Sequence, residues 1–109
     1  MDKLTAIFKI LSDETRLRIL ILLYHQKLCV CQIQGILGES QPKISKHLGK
    51  LRDIGLVKDE RKEQFIYYYL DHNNELLDVM LKTIILNTVD NQIIQKDLEK
   101  VKNASIYIK

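Results

Sequence analysis

The stretch Val30-Cys31-Gln32-Ile33-Gln34-Gly35-Ile36-Leu37-Gly38-Glu39-Ser40-Gln41-Pro42 constrains the fold more than any other. Val30, Ile33 and Leu37 give one apolar face to a helix about two turns long, and Gly38 is a residue type that ends helices. Ser40 offers a cap for a new helix, and Pro42 falls in its first turn, where a missing amide hydrogen costs nothing. That helix turns Ile44, Leu48 and Leu51 inward and stops near Gly55. Two short helices joined by Gly38-Glu39-Ser40 make a helix-turn-helix over residues 30–55.

The remaining segments arrange themselves around this unit. Leu4, Ile7, Phe8 and Leu11 recur at helical spacing and predict a first helix with one buried stripe. Ser12-Asp13-Glu14-Thr15 supplies cap-type side chains and first-turn acids for a second helix, from about Asp13 to His25, carrying Leu17, Leu20, Leu23 and Tyr24. After Leu56 the period changes. Leu56–Arg61 and Gln64–Leu70 are rich in β-branched and aromatic residues and flank a charged turn without glycine, which predicts a β-hairpin over residues 56–70, a wing. Tyr67, Tyr68 and Tyr69 alternate faces, so at least one belongs to the core.

From Asn74 to about Lys102 helical spacing returns through Leu77, Met80, Leu81, Ile84, Ile85, Val89, Ile93 and Leu98. So small a domain cannot cover all of that apolar surface, and a second copy of the chain is its simplest cover, through residues 1–12 and 74–102. Asn103 to Lys109 is expected to be loosely held. The expectation is a single domain over residues 1–109, mainly α with a small β-hairpin: a winged helix-turn-helix of about five helices plus a two-stranded wing, working as a homodimer.

Charge points to a partner. The whole chain carries only +3, yet Gln41 to Lys62 holds seven Lys or Arg against three acids. Such concentration suits a polyanion, here double-stranded operator DNA, although a solvated helix face produces the same clustering. The candidate contacts on the second helix of the motif are Ser40, Gln41, Lys43, Ser45, Lys46, His47 and Lys50, with Gln41 suited to adenine and Lys43 or Lys46 to guanine. Arg61, Lys62 and Gln64 in the wing would reach a minor groove or the backbone. No apolar run approaches the roughly 18 to 20 residues that span a bilayer, and the start lacks a secretory signal, so a cytoplasmic location away from membranes is expected.

In that compartment thiols are normally reduced, and the only two cysteines, Cys29 and Cys31, flank one valine. A Cys-x-Cys at a helix start suits a soft ion or redox chemistry; a small buried hydrophobe is the competing reading. A helix start should lower a thiol pKa. Residues i and i+2 on a helix point about 200 degrees apart, so gripping one ion is expected to distort the helix's first turn. His25 as a third ligand ranks below an exposed helix-end histidine. No Ser-His-Asp set, paired-carboxylate site, Gly-rich phosphate loop or closed zinc motif is present, so neither an enzyme nor an organic cofactor is expected.

With these elements assembled, the sequence resembles the arsenic-repressor (ArsR/SmtB) family of metal-sensing repressors. The resemblance lies in Phe8-Lys9-Ile10-Leu11-Ser12-Asp13-Glu14-Thr15-Arg16-Leu17-Arg18-Ile19-Leu20, Leu28-Cys29-Val30-Cys31, Ser40-Gln41-Pro42-Lys43-Ile44-Ser45-Lys46-His47-Leu48 and Tyr67-Tyr68-Tyr69-Leu70. It implies a homodimer that binds operator DNA and is released by a thiophilic ion, typically arsenite or antimonite, at Cys29 and Cys31. Family members often carry a third cysteine three residues after the second, where this chain has Gln34. The family's other metal site, on the last helix, needs histidine, and none lies between Asn74 and Lys102. The inducer is thus a trivalent arsenic or antimony species or another thiophilic ion; a redox-sensing repressor of the same fold, or a winged-helix protein-interaction module without sensing, stays open.

Overall fold

The structure, a computed structural model, describes residues 1–108. Helix α1 (Asp2–Leu11) leads into α2 (Glu14–His25), which starts where the Asp13 carboxylate accepts a hydrogen bond from the Arg16 amide at 2.9 Å. That bond is the largest of the influences holding the Asp13 carboxyl below its usual 3.8. Five successive residues of α2, Ile19 to Leu23, are buried, because other elements pack around the helix on all sides. It is the axis of the core.

Strand β1 (Leu28–Cys29) runs straight into α3 (Val30–Leu37), which ends at Gly38 with φ 69°, a left-handed turn that glycine adopts without steric cost. Helix α4 (Gln41–Asp53) begins at Ser40, whose hydroxyl accepts from the Lys43 amide, with Pro42 in the first turn and Ile44, Leu48 and Leu51 buried as expected. Strands β2 (Val57–Lys62) and β3 (Phe65–Leu70) form the wing hairpin, paired from Val57↔Leu70 to Lys62↔Phe65. In place of the missing glycine, Glu63 takes φ 59° at the tip. Tyr68 is the buried one of the three tyrosines.

The wing belongs to a larger sheet than the two strands expected. Its order is β1-β3-β2, all antiparallel, with Leu28 opposite Tyr68 and Cys29 opposite Tyr67. A two-residue strand leaves almost no periodic signal, which is why the sequence pattern concealed it.

Residues 74–102 also differ from the single helical run, raising the count to six α-helices among the described residues. Helix α5 (Glu75–Leu86) and α6 (Gln92–Val101) are separate, capped by the side chains of Asn74 and Asn91. Between them Asn87 donates to the Thr83 carbonyl and Thr88 to the Ile84 carbonyl, which satisfies the last turn of α5 and lets the chain reverse. Helix α6 then returns to α2, where Arg18 grips the buried Asp97 through two bonds of 2.8 and 2.9 Å.

The C-terminal segment is more tightly held than expected. Residues 104–107 form a 3-10 turn with Ala104 buried, and the Tyr107 ring covers Gly35 so closely that a Cβ there would lie 2.0 Å from it. Lys109 lies outside the described residues.

The first helix buries Ile7 and Ile10 and leaves Phe8 53% exposed, so its apolar stripe is rotated from the one expected. Leu76, Val79 and Leu86 form an exposed row on α5, with Val89 and Ile93 beyond it. No helix among the described residues is long and apolar enough to cross a membrane.

Replacing Asp97 with alanine would strand the Arg18 guanidinium beside the core. Urea unfolding of Asp97→Ala is expected to show a loss of about 3 kcal/mol with an unchanged m-value.

Candidate nucleic-acid interface and thiol site

Helix α4 presents Gln41, Lys43, Lys46 and Lys50 to solvent, with Ser45 and His47 half-buried. An open groove of about 670 Å³ runs along it, lined by Lys43, Ser45, Lys46, His47 and Lys50 and, from the first turn of α2, by Arg16. Arg16 was not among the residues singled out from sequence. Its signal was a cation in the first turn of a helix, where the macrodipole disfavours positive charge and some other role must hold it.

The polar groups here are only lightly engaged. The Gln41 side chain donates to the Ser45 hydroxyl at 3.0 Å, Lys43 pairs with Glu39 at 3.1 Å, and both arrangements are exposed. Exposed pairs of this kind contribute little and exchange readily for a phosphate. Burial pulls the His47 pKa below its usual 6.5, with Asp13 opposing and Arg16 adding to the shift. At neutral pH its ring is therefore uncharged and can offer a hydrogen bond. In the wing, Arg61 donates to the Glu63 carbonyl at 3.4 Å, while Lys62 and Gln64 are exposed. The Ser40 hydroxyl is committed to the α4 cap.

The thiols differ from expectation in two respects. Cys29 is not a helical residue: it is the end of β1, in extended conformation (φ −85°, ψ 167°), and serves as the N-cap of α3. The 200-degree separation therefore does not apply, and the two sulfurs face each other 2.6 Å apart, both thiols free. The two thiols are thus within reach of one ion without the distorted helical turn that was expected.

The second correction concerns ionisation. The Cys31 thiol is pushed up to about 11, first by burial and then by the hydrogen bond and charge of Cys29; amides at the α3 start pull the other way and lose. Cys29 itself is 1% exposed.

The pair opens onto a groove of about 290 Å³ whose other walls are Gln34 of α3, Gln41 of α4, and Gln64, Phe65 and Ile66 of the wing. Gln34, at the position of the family's frequent third cysteine, thus stands beside the thiols. His25 does not line this groove; it meets Tyr24 edge to face at 5.7 Å. Among the described residues no group of three or more His, Cys, Asp or Glu side chains is placed to hold one metal ion. Two convergent soft donors do suit a thiophilic species that needs only two from the protein.

Behind the thiols lies a residue that sequence reasoning missed. Gln32 is 6% exposed; its carbonyl oxygen accepts from the Cys29 amide at 3.0 Å and its amide nitrogen donates to the Ala104 carbonyl at 3.3 Å. A glutamine at the third position of a capped helix was a readable signal for the first bond, but nothing local announced the second.

A helix-turn-helix with a basic second helix, a wing on the same side and a thiol pair between them defines a winged helix-turn-helix regulatory protein. Residues 13–59 match the family described as "Bacterial regulatory protein, arsR family". The chain is 43% identical over 81 residues to the arsenic resistance transcriptional regulator ArsR1 of Pseudomonas putida, a match covering 72% of this chain and 63% of that protein. It is 39% identical over 99 residues to ArsR2 of the same organism, covering 85% of this chain and 86% of that one. Among solved structures, the homodimeric winged helix-turn-helix DNA-binding domain Mb0332 of Mycobacterium bovis, described as a possible ArsR-family regulator, aligns with a TM-score of 0.68 at 25% identity over 80% of this chain and 79% of that one. The chain belongs to the arsR family of bacterial regulatory proteins, a family of transcription regulators and not of enzymes.

Two measurements check the site. Gln32→Leu leaves the Cys29 amide and the Ala104 carbonyl without partners and is expected to cost about 2 kcal/mol in urea unfolding. At pH 7.5 a thiol of pKa 11 is ionised roughly 300-fold less than an ordinary one of pKa 8.5, and its greater intrinsic nucleophilicity recovers about tenfold of that. Iodoacetamide should therefore label Cys31 roughly 30-fold more slowly in the native chain than in urea, a gap that closes as pH rises toward 11.

Proposed function

We propose that this chain is a repressor that binds operator DNA as a homodimer and lets go when arsenite or antimonite binds Cys29 and Cys31. The observation that carries the reading is the groove in which two facing thiols, the first residue of α4 and the wing turn meet. Gln41, Lys43, Ser45, Lys46, His47 and Lys50, with Ser40 setting the helix start, meet the major groove; Arg61, Lys62 and Gln64 meet the flanking minor groove or backbone. Residues 1–12 and 74–102 carry the dimer, which would cover Phe8, Leu76, Val79, Leu86 and Ile93. The homodimeric Mycobacterium bovis domain and the arsenic resistance regulators of Pseudomonas putida support these assignments.

Chemistry favours a trivalent arsenic or antimony hydroxide over a divalent cation. A cation must displace two thiol protons into solution, against a Cys31 pKa of about 11. Arsenous acid carries its own hydroxyls: two thiols replace two of them, the thiol protons leave as two waters, and one hydroxyl remains on arsenic. No protein thiolate has to accumulate first. The same high pKa works against a peroxide sensor, which reads thiolate.

Fluorescence anisotropy of an inverted-repeat operator tests the reading. Wild type should bind with a log-log salt slope of about −5 or steeper and be released by arsenite by about 5 to 150 fold. The Cys29→Ser/Cys31→Ser variant should bind equally well and ignore arsenite. A flat salt slope, or release that survives loss of both thiols, would overturn it.

A further inference from the structure

We propose that the wing, and not the recognition helix α4, is the element that a species held by Cys29 and Cys31 displaces. The inference rests on the proposed role of the thiols and adds the route by which their occupation reaches DNA. Its ground is the placement of the two sulfurs on different structural units: Cys31 is a residue of α3, whereas Cys29 is a residue of the wing's own sheet, paired with Tyr67 of β3.

A species held by both sulfurs joins those two units, so any adjustment it forces falls on one of them. Helix α3 is braced. It packs against α4, α6 and the C-terminal 3-10 turn; its Gly35 lies under the Tyr107 ring, and its Gln32 is tied to the Ala104 carbonyl. Strand β1 is two residues long and meets β3 in two residue pairs. Beyond β1 the exposed outer half of the hairpin is the part free to give, and whatever moves β1 moves β3 through the ladder.

The groove geometry pushes in the same direction. The wall facing the thiols is Gln64, Phe65 and Ile66, so a bound species lies between the sulfurs and the tip of the hairpin. Tyr67 is two residues from Phe65, the last paired residue before the turn, and a shift at Cys29 is therefore delivered about 7 Å from the tip that carries Arg61, Lys62 and Gln64. Lys27 meets the hairpin at the level of Tyr67: its ammonium pairs with Glu60 of β2, which stands opposite Tyr67, and lies 4.9 Å from the centre of the Tyr69 ring. The base of the hairpin is held by the buried pair Val57 and Leu70, and a hairpin held there and pushed near its exposed tip swings. Helix α4 meets the groove through Gln41 alone, an exposed end residue, while Ile44, Leu48 and Leu51 hold the helix in the core.

The test is a comparison of wild type with Arg61→Ala/Lys62→Ala, a pair of exposed wing residues whose removal leaves the thiols intact. On a shared operator the variant binds more weakly, with a salt slope shallower by about 2 for each wing engaged. Because its wing contacts are already gone, arsenite should release it by less than about twofold, against the full wild-type factor. Hydrogen exchange of the DNA-free wild-type chain should show arsenite loosening amides in 65–70 while those of 44–52 stay as they were. Release of the variant by the wild-type factor, or exchange changes confined to 44–52, would overturn the wing's role while leaving the thiol site standing. Thiols that remain fully titratable in arsenite would overturn both.

Discussion

The pairing of Cys29 with Tyr67 is the interaction on which the site depends. It holds Cys29 extended at the last position of a strand, so that α3 begins one residue later and Cys29 becomes its cap. Had the helix begun one turn earlier, both thiols would lie on it and point apart. A backbone ladder between β1 and the wing thus decides a side-chain distance, and with it whether two neighbouring thiols can serve one ligand.

From that junction the structure reaches in two directions. Forward, the sheet leads through Tyr67 to the wing tip, and the groove leads to the first residue of α4. Backward, Gln32 joins the Cys29 amide to the C-terminal turn, which Tyr107 also fastens onto α3. Helix α2, buried along five successive residues, is the surface against which all of this is assembled, and the Arg18–Asp97 pair ties α6 to it. The thiols therefore sit between a braced helix and a short strand, an asymmetry that local composition does not reveal.

Electrostatics at the site favour neutrality. Cys31 stays protonated because burial and a neighbouring thiol outweigh the amides of the α3 start, and His47 stays uncharged because it is half-buried. Positive charge is left to exposed lysines and to Arg16, Arg61 and Lys62, which can approach phosphates without a large desolvation cost.

Much of the fold was legible because its signals are local. Gly38, Ser40 and Pro42 punctuate the helix-turn-helix by backbone preference, Asp13 announces its cap, and the change of period at Leu56 announces the hairpin; each acts within one turn of chain. The same holds for the basic face of α4, whose charges share one helix.

What only the tertiary structure decided are the relations between distant segments: the third strand, the division of residues 74–102 by the Asn87–Asn91 reversal, the docking of Tyr107 on Gly35, the entry of Arg16 into the α4 groove and the convergence of the sulfurs. Sequence placed two thiols one valine apart and could apply only helical geometry to them. The β1–β3 ladder supplied the conformation of Cys29, because a strand two residues long is defined by its partner and not by its own residues.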